Sequence, residues 1–97
     1  MTYDELIRKS PVSLIEFYAT WCPHCQAMQP IVDQIKEVVA GKIDVYQLDI
    51  DKNGDAAENE EVEATPTFII YRNGCEVWRQ SGEMDGEVLL SRLKSFM

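Results

Sequence analysis

Trp21-Cys22-Pro23-His24-Cys25 places two thiols, separated by two residues, between a predicted strand over residues 12 to 19 and a predicted helix over 23 to 39. Thiols so spaced can close a disulfide and reopen it without moving the surrounding chain. Cys22 then sits at the helix N-terminus, where unpaired backbone N–H groups and the positive end of the helix dipole favour a thiolate over a thiol.

Working outward, Val12 to Ala19 is apolar or β-branched on both faces, the pattern of a central strand covered on two sides, and Glu16 interrupts it. Pro23 suits the first helical turn, where its missing N–H costs nothing. Met28, Ile31, Val32, Ile35, Val38 and Val39 then repeat at helical spacing as far as Gly41, with Pro30 expected to bend the helix. Residues 43 to 50 read as a second strand, joined to the first by a right-handed parallel crossover. Thr67 to Tyr71 and Glu76 to Gln80 flank Asn73-Gly74, which predicts an antiparallel hairpin. Short helices are expected over residues 3 to 9, after the Thr2/Glu5 capping-box pattern, and over 55 to 61. A last helix is expected over 86 to 96, with Leu89, Leu90, Leu93 and Phe96 on one face.

The 97 residues, 45% of them apolar, suffice for one domain, residues 1–97, with a single core. Seventeen acidic against nine basic residues give a net charge of −8, which repels phosphate backbones and argues against nucleic acid as a partner. No apolar run approaches membrane-spanning length, and the first residues lack the basic and apolar regions of a signal peptide, so a cytoplasmic monomer is expected. Three cysteines, two of them neighbours, do not make a structural disulfide framework; redox chemistry or metal binding fits them better.

Cys-x-x-Cys between a strand and a helix, within a βαβ pattern, is the setting in which the motif is redox active, a rule drawn from known members of one fold family. Cys22, at the exposed start of the helix, is the expected nucleophile, and Cys25, one turn in and covered, is the resolving thiol. His24 as an imidazolium would stabilise the Cys22 thiolate and make the disulfide more oxidising. A carboxyl at Glu16, if buried, would hold its proton toward neutral pH and could take the proton of Cys25; a strand-end glutamate reaching solvent is the alternative. Thr65-Pro66-Thr67 opens the third strand, where proline can be cis and the Thr65 backbone is free to pair with an extended substrate segment. Trp21, adjoining Cys22, invites a substrate-facing role.

Two metal readings compete. Cys22, His24, Cys25 and distant Cys75 are a poor zinc cage, because tetrahedral sites draw their ligands as two separated pairs. Asp49-Ile50-Asp51-Lys52-Asn53-Gly54 with Glu60 matches a calcium-loop pattern, but the same letters serve a strand-to-helix turn. No metal and no cofactor beyond a redox-active disulfide is expected.

With these stretches placed, the chain resembles the thioredoxin family over nearly its whole length. The resemblance rests on Phe17-Tyr18-Ala19-Thr20-Trp21-Cys22, Pro30, Ala64-Thr65-Pro66-Thr67, Asn73-Gly74 and Gly82. It implies a three-layer α/β sandwich around a mixed four-stranded sheet, without the family's first strand. It also implies a cis Pro66 lying against the cysteines and a substrate surface formed by Trp21, Pro23, Thr65 and Pro66. Glu16 falls at the family's buried aspartate, and Gln47 stands where many members carry a lysine. Pro-His between the cysteines resembles the disulfide-forming oxidases of the superfamily. The implied activity is thiol–disulfide exchange with disulfide-bearing proteins, recharged by a reductase. The expected potential lies between about −270 mV for thioredoxin and about −120 mV for the strong oxidase. A disulfide-forming oxidase and a non-catalytic binding module are the alternatives.

Overall fold

The computed structural model describes residues 1–97 and folds them in the order α1 (Tyr3–Arg8), β1 (Val12–Tyr18), α2 (Pro23–Val39), β2 (Asp44–Asp49), α3 (Gly54–Asn59), β3 (Thr67–Arg72), β4 (Cys75–Ser81) and α4 (Gly86–Ser95). The strands form one sheet in the order β2-β1-β3-β4. β1 pairs parallel with β2 across the α2 crossover and antiparallel with β3, which turns into β4 through the hairpin. Asn73 and Gly74, at φ 52° and 81°, take the left-handed conformations that a tight two-residue turn requires.

The alternation of side chains along β1 divides the core into two layers. Val12 and Leu14 pack with Met28, Val32 and Ile35 of α2, Phe68 of β3, and Leu89 and Leu93 of α4. Ile15 and Phe17 point the other way, toward Ile7 of α1, Ala57 of α3, and Ile69 and Tyr71. Every residue from Val12 to Phe17 is buried, so β1 is the strand covered on both sides that its composition predicts. The result is a three-layer α/β sandwich with four strands.

Local chemistry explains the ends of the elements. Thr2 and Glu5 form the predicted capping box of α1, the Thr2 hydroxyl accepting from the Glu5 backbone N–H. Asp85 caps α4, accepting from the Glu87 backbone N–H at 2.7 Å. Pro30 lies inside one uninterrupted helical run. No helix is long and apolar enough to cross a membrane.

The candidate dithiol site

The end of β1 and the start of α2 together position the two thiols. Cys22 is the N-cap residue of α2, Pro23 opens its first turn, and Cys25 lies one turn in. Both thiols are free. The expected contrast in exposure is small: Cys22 is 6% exposed and Cys25 4%, because Ala19 packs against both. Proton affinity separates them instead. The Cys22 thiol is lowered to about 7, first by the Thr65 side chain and then by the Cys25 backbone N–H, against the opposing effect of burial. Burial raises Cys25, and the Cys22 sulfur beside it adds to the rise. A thiol that ionises near neutral pH thus neighbours one that holds its proton more tightly.

The Thr65–Pro66 peptide is cis, as the resemblance implies, and the Cys22 Sγ lies 3.4 Å from the Thr65 carbonyl oxygen. That contact favours the protonated thiol, so the lowering at Cys22 comes from the Thr65 side chain, the Cys25 thiol and the backbone N–H groups of Cys25 and His24 acting against it. The Gly82 backbone N–H donates to the Pro66 carbonyl at 2.8 Å and ties the loop after β4 to the proline loop. Trp21 is 64% exposed, and its indole N–H donates to Asp51 Oδ2 at 3.0 Å. Trp21, Thr65, Glu63, Ala64, Val62 and Ile50 line a groove of about 290 Å³ beside the thiols. Pro23 is exposed at the same helix start, whereas Pro66 is buried.

His24 is exposed, and its Nδ1 lies 2.5 Å from Glu83 Oε2. This hydrogen bond first, and the Glu83 charge second, raise the imidazole's proton affinity. Glu83 thereby favours the cationic ring and also offsets its charge. At Cys22 the His24 backbone N–H is among the groups lowering the thiol, and the ring and the Cys22 sulfur act on one another through charge, the thiolate favouring the imidazolium.

Glu16 is only 1% exposed, so the solvent-reaching alternative is excluded. Its neighbours along β1, Leu14 and Tyr18, share its face of the strand, and Leu14 packs toward α2, the helix that carries Cys25. Burial raises the Glu16 carboxyl above the usual carboxylate range, while a hydrogen bond from Gln47 and the charge of Lys36 pull it down.

Other residues singled out in the sequence have structural uses. Asp49 Oδ1 accepts from the Asp51 backbone N–H at 2.9 Å, and Asn53 Nδ2 donates to the Asp49 carbonyl at 2.9 Å. The calcium-like letters therefore build the turn between β2 and α3. Cys75 is exposed at the start of β4 and takes no part in the site. A larger hollow of about 760 Å³ between α1 and α3 shares no residue with the dithiol site.

Sequence reasoning did not single out Glu83 or Asp51 as partners of site residues. Glu83 follows Gly82, whose positive φ of 91° turns the chain back beside the proline loop, and that glycine is the only signal for it. Asp51 stood within the calcium-like letters.

An α/β sandwich that holds a dithiol at a helix N-terminus against a cis-proline loop defines a narrow structural class. The chain belongs to the thioredoxin family: the family model described as Thioredoxin matches residues 1–95. It is 41% identical over 96 residues to "Thioredoxin Y, chloroplastic" from Oryza sativa subsp. japonica, covering 97% of this chain and 56% of that protein. With "Thioredoxin-1" of Saccharomyces cerevisiae it shares 36% identity over 80 residues, covering 82% of this chain and 77% of the yeast protein. A mutant thioredoxin from Halobacterium salinarum superimposes with a TM-score of 0.87 at 29% identity, over 96% of this chain and 80% of that one. The chain spans little more than half the length of the chloroplast relatives it matches.

Proposed function

We propose that the chain is a protein-disulfide reductase that cycles Cys22 and Cys25 between dithiol and disulfide. The observation that carries this reading is the Cys22 thiol lowered to about 7 beside the cis Thr65–Pro66 peptide. The Cys22 thiolate attacks one sulfur of a substrate disulfide; a Cys22–substrate disulfide forms, and the other substrate sulfur leaves as a thiolate that takes a proton from water. Cys25 then loses its proton to Glu16 and attacks the Cys22 sulfur. The Cys22–Cys25 disulfide forms, the second substrate thiol leaves, and two electrons have passed to the substrate. A dithiol donor, such as a thioredoxin-reductase-like enzyme, returns them.

Trp21, Pro23 and Thr65 form the contact surface, with buried Pro66 behind it setting the course of the Thr65 backbone, which pairs to an extended segment that carries the substrate disulfide. The dithiol is the only redox group this cycle needs, with no metal or added cofactor. His24 moves the couple above that of a typical thioredoxin, and its pairing with Glu83 limits how far. In a reducing compartment such as the cytoplasm electrons then run toward substrate. Insulin reduction with dithiothreitol tests the proposal: Cys22→Ser abolishes the catalysed rate, and a variant as active as the parent overturns the mechanism.

A further inference from the structure

Glu16 ends a chain of side chains that reaches from the buried sheet to the half-exposed flank of α2. Gln47, its parallel partner on β2, donates from Nε2 to Glu16 Oε1 at 2.7 Å. The Gln47 carbonyl oxygen accepts from Lys36 Nζ at 2.6 Å. Gln29 braces the same amide, accepting from Gln47 Nε2 at 2.9 Å and donating to its Oε1 at 3.3 Å, and it also donates to Asp33 at 2.8 Å.

The arrangement has a direction. An ammonium only donates, so Lys36 requires the Gln47 carbonyl on its side, which leaves the NH2 group facing the acid. The flipped amide would set carbonyl against carboxylate and NH2 against ammonium, and both contacts repel. With its positive end toward Glu16, the Gln47 dipole favours a charged carboxylate there, and the Lys36 charge polarises it further.

We infer that Lys36 is a positioning residue for the exchange reaction: through the Gln47 amide it orients and electrostatically supports Glu16, so that this buried acid can ionise during turnover. The charged groups acting on Glu16 are Lys36 and Asp33, both from α2, and they oppose one another. β2 contributes the neutral Gln47, and β3 contributes Phe68 opposite Glu16. The cation and the acid therefore lie on different elements, joined only by an amide.

The inference rests on the reading of Glu16 as proton acceptor for Cys25, and one experiment separates the two. The reduced protein, labelled with 13C at its glutamate side-chain carboxyls and assigned with Glu16→Gln, is titrated by NMR. In Lys36→Met the Glu16 midpoint rises by about half a pH unit or more, and Lys36→Arg, which keeps the charge, restores it. A Lys36→Met midpoint that stays put or falls overturns the inference; Lys36 is half-exposed, so this variant tests the coupling without opening the core. Release of a pre-formed mixed disulfide is then followed against pH. A shift in its profile that matches the NMR shift supports both readings. An unchanged release profile despite a moved NMR midpoint leaves the Lys36–Glu16 coupling standing and removes Glu16 as proton acceptor.

Discussion

The Sγ of Cys22 lies 3.4 Å from the carbonyl oxygen of Thr65, the residue joined to Pro66 by a cis peptide bond. The proposed nucleophile and the proposed substrate-pairing backbone thus meet at one point, although 43 residues separate them in the chain.

Thr65 has a second effect there, since its side chain is the leading cause of the lowered Cys22 thiol. Thr65→Val keeps the shape and removes the hydroxyl. The pH midpoint of iodoacetamide alkylation, expected near 7 in the parent, should rise in the variant, with alkylation at pH 7 slowed by about twofold or more. An unchanged midpoint would assign the lowering to the helix amides alone.

His24 is the only histidine, so its ring protons give an unobstructed NMR titration. Glu83 raises the ring's proton affinity, and Glu83→Gln is expected to lower the midpoint. His24→Pro removes both the ring and the backbone N–H that helps to hold the Cys22 thiolate. The variant should show a higher Cys22 midpoint and a more negative reduction potential, on a scale where about 30 mV is a tenfold change in equilibrium constant. A glutathione redox titration identical to the parent's would remove His24 from the tuning role.

Burial raises the Glu16 carboxyl in the folded state above its unfolded value of about 4.3. The folded state then holds the proton more tightly than the unfolded state, which is stabilising below about pH 4.3 and is lost as pH rises through the folded midpoint. Glu16→Gln has no such loss. Urea denaturation should show the variant gaining on the parent as pH rises from about 4 through the folded midpoint. A gap that is constant across that range would contradict the raised proton affinity.

On the opposite face, the Tyr71 hydroxyl donates to Glu60 Oε1 at 2.8 Å and lies 2.8 Å from the Tyr3 hydroxyl, tying α1 and the end of α3 to β3. Tyr71→Phe strips a partner from both groups and should cost about 1–3 kcal/mol in urea denaturation, with insulin reduction unchanged.

The parts of the fold that the sequence made legible are those written in local period or turn chemistry. The double-faced burial of β1, the Asn73-Gly74 hairpin and the Thr2/Glu5 cap each follow from neighbouring residues and are present, and so is the apolar stripe of α2 except at Val38, which is exposed. The cis Pro66 was legible only through resemblance, since isomer choice depends on tertiary context. Pairings across the fold left little trace. Glu83 lies 59 residues from His24, and Lys36 meets Gln47 only because α2 crosses over the β1–β2 pair. The near-equal exposure of the thiols also escaped, because the packing of Ala19 over Cys22 is not a property of either residue alone.

Trapping the mixed disulfide tests the central claim most directly. Cys25→Ser protein, incubated with a disulfide-bearing protein and analysed by mass spectrometry, should accumulate an adduct joined through Cys22. Replacing Cys22 by serine as well should abolish it. An adduct joined through exposed Cys75, or one that persists without Cys22, would contradict the account.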